Sequence, residues 1–455
     1  MTEVEPKTGM ALVTERQKLA AEEAGEVWLD VSRLLFQIFR GRLTGIDRVE
    51  IAYAEQMLAL APERVRFVAF DYWRGRFRRL NQRLVTEMIG ELGPAWARGE
   101  MRALGRRALG ELARSQLLAP ALARQSGGAR PVYVNVSTHP LQCIKPVGRL
   151  LTGTGALFVP LVHDLIPLEL PEYVPSAWAG DLRRRLATID AYADGVIANS
   201  QATAEALRPY MPLMPLAALP LGINPRAPGM VPAEERPYFV MLGTIEPRKN
   251  HLLILQLWRQ MVEEMGERAP RLYVIGQRGW DNEQVIDLLE RSRLLRGHVI
   301  ETGMIPDGEM AARVKGARAL LMPSFAEGYG LPVAEALAMG VPVLCSDIAA
   351  HREVGQAVPD YLNPVDGLGW RAMIDAYATP GSPARAAQLA RLGTWRAPDW
   401  RAHVAGALAF IGQLTPRRAE AQSSWSRTML ATSMASTQRM KPATAVSSMT
   451  SQRTG

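Results

Sequence analysis

"ALLMPSFAEGYGLPVAEALAMGVPVLCSD", residues 319–347, is the stretch from which the fold can be predicted. Its two ends, "ALLMPS" and "VPVLCSD", are short apolar runs of the kind that form buried strands. Pro332 suits the first turn of a helix, and Gly340 suits the position just after its end. A strand, a helix and a second strand in this order predict an α/β fold with parallel sheets covered on both faces.

Two glutamates flank the glycine-containing loop of this stretch. Glu327 is predicted to lie in the loop beyond the first strand, and Glu335 on the first turns of the helix. Open parallel sheets bind ligands at this edge. Gly328 and Gly330 allow backbone N–H groups to approach an anion, and ionised carboxylates accept hydrogen bonds from hydroxyls. The loop therefore favours an anionic, hydroxyl-rich ligand over the alternative of a helix cap at Glu327 and a solvated Glu335.

A second loop carries two adjacent cations. "YFVMLGTIEPRKNHLLIL", residues 238–255, reads as a strand, Gly243, a loop and then a helix. Arg248 and Lys249 precede that helix, where the helix dipole makes positive charge unfavourable. Guanidinium and ammonium groups both bind phosphate oxygens. The placement predicts an anion between the two cations, at the same edge of the same sheet.

Ten short apolar runs alternate with amphipathic helical patterns along the chain. A Pro- and Gly-rich stretch at residues 220–237 divides them. We therefore predict two doubly wound domains of similar size that face one cleft. The candidate strands are residues 27–32, 65–70, 131–137, 156–164, 195–200, 238–243, 271–276, 298–303, 319–324 and 341–347.

Composition limits the function classes. The chain has 455 residues, 48% hydrophobic, with no apolar run long enough to span a bilayer, and its charged N-terminus does not resemble a signal peptide. The two cysteines, Cys143 and Cys345, predict neither a disulfide framework nor a metal cluster and suit a reducing cytoplasm. Six basic residues and one acidic residue follow Pro416 and account for most of the net charge of +8, so nucleic acid is not a predicted partner.

Several motifs together resemble one enzyme family. "GTIEPRKNH" and the stretch around Glu327 and Glu335 are similar to the donor-binding half of retaining glycosyltransferases of family 4, also called group 1, and the two glutamates match its Glu-x7-Glu signature. "TGIDRVEIAYA", "HDLIPLELPEYVP" and "VIANSQATAEAL" resemble the first half of such enzymes. The resemblance covers roughly residues 26–410 and implies the GT-B fold, in which two Rossmann-like domains face a central cleft.

The resemblance also implies a division of the chain into six segments. They are a peripheral N-terminal segment (1–25), an acceptor-binding domain (26–222), a linker (223–236), a nucleotide-sugar-binding domain (237–398), a helix returning to the first domain (399–416) and a disordered basic tail (417–455).

The residue roles implied for the donor site follow the family's motifs. Glu335 would bind the ribose hydroxyls, Glu327 the transferred sugar, and Arg248 with Lys249 the diphosphate. Residues 303–310 would face the base. The remaining donor-binding positions implied are Gly45, Gly243, Tyr329, Gly330 and Leu331.

His163 ends the strand before "DLIP" and would lie beside the transferred sugar as a further catalytic residue, together with Arg248, Lys249 and Glu327. The family is described by front-face attack, in which the acceptor hydroxyl approaches as the diphosphate leaves and the leaving phosphate takes its proton. Transition-state charge would be stabilised without a cofactor. No Asp-x-Asp motif occurs, in keeping with a metal-independent reaction.

The substrates and location stay open at this point. "GIDRV" with "HDLIP" resembles exopolysaccharide and O-antigen mannosyl- or rhamnosyltransferases, which favours GDP-mannose as donor and a saccharide or polyprenyl-linked glycan as acceptor. Residues 67–83 interleave aromatics with arginines, which predicts either a strand with its turn or a contact with an anionic membrane surface at the inner face of the plasma membrane. The alternatives are a non-catalytic sugar-nucleotide-binding protein and a GT-B epimerase. A Rossmann dehydrogenase would need a G-x-G-x-x-G turn, which is missing in the right context.

Overall fold

The structure is a computed structural model that describes residues 25–40, 44–72, 74–97, 104–106, 110, 122, 129–224, 229–230 and 234–417. The predicted peripheral segment, apart from Gly25, and the predicted basic tail, apart from Arg417, lie outside the described residues. Arg417 itself is held by the fold, because its guanidinium donates to Asp190 and its backbone amide donates to Asp194.

The first sheet has seven strands in the order β3-β2-β1-β4-β5-β6-β7. All neighbours are parallel except β2 and β3, which form an antiparallel hairpin. The strands are β1 (Val27–Asp30), β2 (Val65–Asp71), β3 (Arg76–Arg79), β4 (Val132–Asn135), β5 (Leu157–Val162), β6 (Val196–Ala198) and β7 (Leu216–Ala218).

The second sheet has six parallel strands in the order β10-β9-β8-β11-β12-β13. The strands are β8 (Tyr238–Leu242), β9 (Arg271–Ile275), β10 (Val299–Gly303), β11 (Leu320–Met322), β12 (Val343–Ser346) and β13 (Asp360–Leu362). We refer to the part of the chain that builds each sheet as the first and the second domain.

Helices cover both faces of both sheets. Those of the first domain are α1 (Ser32–Arg40), α2 (Gly45–Leu60), α3 (Gln82–Ala97), α4 (Ile144–Thr154), α5 (Ile166–Glu169), α6 (Ser176–Tyr192) and α7 (Gln201–Leu207). Those that follow β8 are α8 (His251–Met265), α9 (Glu283–Arg291), α10 (Asp307–Gly316), α11 (Leu331–Ala338), α12 (Ala349–Gly355), α13 (Gly367–Ala378), α14 (Pro383–Leu392) and α15 (Trp400–Gly412).

The prediction of two doubly wound parallel sheets is confirmed, and all ten predicted strands are present. Three further strands, β3, β7 and β13, were missed. Each is only three or four residues long and lies at the edge of its sheet. Edge strands are half exposed, so their sequences lack the apolar run that marks a central strand.

The arginine-rich stretch at residues 67–83 forms the β2–β3 hairpin. Phe70 and Phe77 are buried, with ring centroids 5.1 Å apart. Arg78 pairs with Asp71 at 3.2 Å, and Arg79 pairs with Glu26 at 2.7 Å. These two arginines are therefore engaged within the fold.

Helix α15 follows the second domain and packs on α2 of the first. His403 Nε2 lies 2.7 Å from the Tyr53 hydroxyl, and its Nδ1 lies 2.9 Å from the Pro220 carbonyl oxygen. One cluster of buried apolar side chains is continuous across both domains and includes Leu221, Tyr329 and Val404. None of the described helices is long and apolar enough to cross a membrane.

Candidate active site

The site begins where two loops of the second domain meet at the carboxyl edge of its sheet. One loop follows β8 and the other follows β11, which are neighbouring strands. The Phe325 amide donates to the Arg248 carbonyl oxygen at 2.9 Å, and the Asn250 side chain donates to the Pro323 carbonyl oxygen at 3.2 Å. These bonds fix one loop against the other.

A buried charge cluster lies at this junction. Glu327 accepts from Arg248 Nη1 at 2.8 Å and from Lys249 Nζ at 2.6 Å, while Arg248 Nη2 contacts Glu246 at 2.5 Å. The Glu327 side chain is only 8% exposed. Burial would raise the pKa of Glu327, but the charges of Arg248 and Lys249 outweigh it and hold that pKa far below its usual value.

This pairing changes one part of the sequence interpretation. We predicted an anion from a ligand between the two cations, whereas the protein itself places Glu327 there. The helix-cap alternative for Glu327 does not describe the structure either, because a cap would be bonded to backbone amides. Glu246, which sequence reasoning missed, lies two residues before Arg248 and completes the cluster.

The glycine-containing loop rests on the first domain. A Cβ added to Gly328 would lie 2.2 Å from the His163 carbonyl oxygen, so only glycine permits this approach. The Gly328 carbonyl accepts from Ser200 Oγ at 2.9 Å, and the Tyr329 hydroxyl donates to the Leu221 carbonyl at 2.8 Å. Gly328 thus allows the two domains to touch. From the sequence we predicted instead that it lets backbone N–H groups approach a bound anion.

The start of α11 has the geometry expected of an anion site. Gly330 precedes the helix with φ +99°, a left-handed conformation that favours glycine, and Leu331 is the first helical residue. The first N–H of a helix has no acceptor within the helix and can bind an anion. Gly243, with φ +127°, lets Lys249 pack beside it, because its added Cβ would lie 3.3 Å from Lys249 Cε.

Glu335 lies one turn into α11 and meets a residue of the opposite domain. Arg48 of α2 places Nη1 3.6 Å from Glu335 and Nη2 3.0 Å from Asp307. The Glu335 side chain is 16% exposed, so it is not the solvated surface residue of the alternative interpretation. Gly45, the first residue of α2, borders open space, since no heavy atom lies within 4 Å of an added Cβ.

His163 follows β5, directly across from the glycine-containing loop. Its Nε2 lies 2.7 Å from the Val136 carbonyl oxygen, which can only accept, so Nε2 carries the proton. Burial lowers the pKa of His163 to about 4, and the ring is neutral at neutral pH. Its Nδ1 is therefore an acceptor.

The structure brings most of the predicted site residues to the boundary between the two domains. Arg248, Lys249 and Glu327 are in direct contact, and the backbone of His163 touches their loop. Glu335 lies on α11 and meets Arg48 of α2, the helix that begins at Gly45. Sequence reasoning missed Arg48, although its position one turn into the helix that begins at Gly45 could have indicated it. Within the described ranges, no group of three or more His, Cys, Asp or Glu side chains could hold a metal ion.

Comparison with known proteins agrees with this architecture. Residues 229–357 match the family model described as Glycosyl transferases group 1. The matched residues lie within the second domain and the segment that precedes it. The group 1 match contains both loops of the charge cluster and all of α11.

Proteins similar to this chain include the O-antigen chain mannosyltransferase B of Escherichia coli, 38% identical over 117 residues, which cover 26% of this chain and 30% of the relative. The serotype-specific mannosyltransferase WbdA of Escherichia coli is 26% identical over 263 residues, covering 51% of this chain and 32% of WbdA. The chain thus spans about a third of the length of these curated relatives.

Two solved structures share the fold. Trehalose-6-phosphate synthase OtsA superposes with a TM-score of 0.57 at 12% identity, covering 86% of this chain and 100% of that one. WaaG, a glycosyltransferase involved in lipopolysaccharide biosynthesis, gives a TM-score of 0.53 at 15% identity, covering 85% of this chain and 99% of WaaG. The chain therefore has the two-domain GT-B fold.

Proposed function

We propose that the protein is a retaining hexosyltransferase that uses a nucleoside-diphosphate sugar as donor. The observation that carries the proposal is the buried cluster of Arg248, Lys249 and Glu327, set at the carboxyl edge of the second sheet opposite His163. This edge is where open parallel sheets bind ligands. The match to group 1 glycosyltransferases supports the same conclusion.

In this proposal the diphosphate lies against Arg248, Lys249 and the amides at the start of α11. Glu335 binds the ribose hydroxyls and Glu327 a hydroxyl of the transferred sugar. As the bond between the sugar carbon and the phosphate oxygen breaks, charge develops on the diphosphate, and fixed cations stabilise it. Gly45 of α2 borders the cleft on the opposite side.

The acceptor hydroxyl attacks from the face that the diphosphate leaves. Its oxygen bonds to the sugar carbon, and its proton passes to the departing phosphate oxygen. Glu327 is unsuited to act as a nucleophile, because both its oxygens are engaged by cations. The neutral Nδ1 of His163 is suited to accept a hydrogen bond from a sugar hydroxyl.

Mannose is the favoured sugar and GDP the favoured nucleotide. Relatives named as O-antigen chain mannosyltransferases support a role in cell-surface polysaccharide synthesis. The acceptor is then a saccharide or a polyprenyl-linked glycan, and the enzyme works in the cytoplasm at the inner face of the plasma membrane. Contact with an anionic membrane surface is part of this proposal.

A panel of nucleotide sugars tests the proposal in two steps. Each is first mixed with the protein, and the one that raises Tm most identifies the donor. That donor is then incubated with a mannosylated acceptor, and the anomeric configuration of the product is determined by NMR. We expect stabilisation by GDP-mannose and an α-linked product. Stabilisation without turnover would favour the sugar-nucleotide-binding alternative, whereas a donor epimerised without acceptor would favour the epimerase.

A further inference from the structure

Two arginines lie on the first domain's side of the cleft. Arg33 is in the first turn of α1, directly after β1, and Arg185 is on α6, which follows β5 and α5. Burial lowers the pKa of Arg185, and the like charge of Arg33 adds to that effect, while Asp181 and Asp164 oppose it. The two guanidinium groups therefore act on each other although each belongs to a different helix.

Arg185 has no fixed counter-ion among the described residues. Its Nε is buried without a hydrogen-bond partner. Its neighbour Arg184 pairs with Asp181, which removes the nearest carboxylate on the same helix. A donor atom that is buried without a hydrogen bond destabilises the fold unless a ligand supplies the acceptor.

Arg33 is oriented by bonds on one side only. Its Nε donates to Asp47 at 2.9 Å and its Nη2 to Thr44 at 3.2 Å. Arg33 is partly exposed, with 23% of its side chain accessible. A guanidinium fixed in this way is available to a ligand at its remaining donors.

Strand order places these arginines beside the proposed acceptor, because β1 and β5, which Arg33 and His163 follow, both flank β4. Helix α6, which carries Arg185, packs on α5 just after His163. The charges of Arg33 and Arg185 both contribute, after burial, to lowering the pKa of His139 to about 4. Arg185 also acts on Asp164, the residue after His163. Asp164 does not neutralise Arg185 alone, because Arg248 of the second domain acts on the same carboxylate and the Ile166 amide binds it.

We propose that Arg33 and Arg185 bind a phosphate group carried by the acceptor. This rests on the proposed function, in which the first domain holds the acceptor. Guanidinium groups bind phosphate oxygens through paired N–H donors, and two of them supply the charge that one phosphate ester requires. The phosphate belongs either to a soluble sugar phosphate or to the headgroup of a polyprenyl-linked acceptor.

The test uses the full chain with its donor site filled. The protein is saturated with the nucleoside diphosphate that stabilises it most, so that Arg248 and Lys249 are occupied. Mannose 1-phosphate is then titrated and followed by tryptophan fluorescence, since Trp178 lies on α6 two turns from Arg185 and contacts Trp280 at 4.7 Å. Neutral vesicles with and without polyprenyl phosphate form the second arm.

Three variants give the comparison. Arg185→Gln should weaken phosphate binding about tenfold or more, and Arg185→Lys severalfold, because charge remains but the paired donors are lost. Arg183→Gln is the control, since Arg183 is exposed on the same helix and should bind like the wild type. If Arg185→Gln does not unfold cooperatively, Arg185→Lys is used in its place. Severalfold weaker phosphate binding by Arg185→Lys then supports the proposal, and unchanged binding contradicts it.

Binding of mannose 1-phosphate alone supports a soluble source, and binding of polyprenyl phosphate vesicles alone supports a lipid source. Absence of both in the wild type, or equal binding by Arg185 and Arg183 variants, overturns the inference. Failure of every nucleoside diphosphate to bind would instead refute the proposed function. The Arg185→Gln and Arg183→Gln variants, titrated without a nucleotide, would then still show whether Arg185 binds the phosphate.

Discussion

Glu327 at the edge of the second sheet is buried between Arg248 and Lys249, whereas Glu50 in the first domain is buried without an ion pair to any described residue. Asp30, at the end of β1, is bonded by the uncharged side chains of Ser32 and Tyr133. Burial raises the pKa of Asp30 and of Glu50, while the adjacent cations lower that of Glu327. Glu327 is thus buried as a paired anion, whereas burial opposes charge on Asp30 and Glu50.

The difference has a chemical consequence. Paired charges at the second edge form a fixed electrostatic environment that needs little reorganisation when a diphosphate acquires charge. At the first edge, burial opposes charge on Asp30 and Glu50, and the His163 ring is neutral, which suits a hydrogen bond from a sugar hydroxyl. If the second edge binds the diphosphate and the first edge binds the acceptor, substitutions at the two edges should have different effects.

The largest effect is expected at the charged edge. Arg248→Ala and Lys249→Ala each remove a cation from the diphosphate, and turnover should fall on the order of 10²–10³-fold. Arg248→Ala also leaves Glu246 and Glu327 buried with less compensation, so the free energy of unfolding should drop by about 3–5 kcal/mol. Transfer assays and urea denaturation measure both effects.

A matched control exists at the surface. Arg352 pairs with Asp347, but the Arg352 side chain is 56% exposed, and Arg352→Ala should change little. Turnover within a few-fold of wild type in both cluster variants would reject the diphosphate assignment.

Gly328→Ala tests the contact between the edges. Its new Cβ would collide with the His163 carbonyl oxygen, so the loop must withdraw from the first domain. Misplacement of reacting groups by about 1 Å can reduce turnover as much as a hundredfold, and we expect a ten- to hundredfold loss. Nucleoside diphosphate affinity should stay within a few-fold. Gly90→Ala, which meets no atom within 4 Å, is the control. Full activity of Gly328→Ala would contradict the docking role.

The two glutamates should respond differently to the loss of charge. Glu335→Gln should weaken nucleoside diphosphate binding roughly ten- to a hundredfold, because a charged hydrogen bond to ribose is lost. Glu327→Gln should retain or increase that affinity, since Arg248 and Lys249 lose their counter-charge, and yet lower transfer. Calorimetric titration of both folded variants measures this. A larger loss of affinity in Glu327→Gln would reverse the two assignments.

The depressed pKa of His163 predicts a pH dependence of stability. The folded pKa of His163 is about 4, below the unfolded value near 6.5, so the unfolded state binds more protons between them. The contribution of His163 to stability is therefore complete above pH 6.5 and is lost as pH falls towards 4. His163→Gln keeps an N–H donor for the Val136 carbonyl oxygen. It should reduce the slope of the free energy of unfolding against pH in this range by up to about 1.4 kcal/mol per pH unit. Urea denaturation at pH 7, 6 and 5 checks it, and identical slopes would contradict it.

How far the sequence predicts this molecule depends on the range of each interaction. Central strands and the helix after Pro332 follow from local patterns, and all were predicted. The pairing of Glu327 with Arg248 was not, because it depends on β8 and β11 being neighbours, which only the folded sheet determines. Gly328 was assigned to a ligand for the same reason, since its close neighbour is the backbone of His163 in the other domain.

The smallest effect is expected at Arg48, which joins the two edges. Arg48 lies 3.6 Å from Glu335 and 3.0 Å from Asp307, with 36% of its side chain exposed. Exposed pairs contribute about 0.2–1 kcal/mol. Arg48→Ala removes a competitor for Glu335 and should tighten binding of a nucleoside without phosphates by at most about fivefold.

Asp307→Asn removes the other partner of Arg48, so that Arg48 pairs more fully with Glu335. This variant should bind the same nucleoside slightly more weakly than the wild type. A nucleoside is the right probe because the diphosphate would add its own attraction to Arg48 and mask the ribose term. Opposite signs in calorimetry support Arg48 as a cross-cleft competitor, whereas a shift in the same direction for both variants would show that Arg48 and the ribose do not share Glu335.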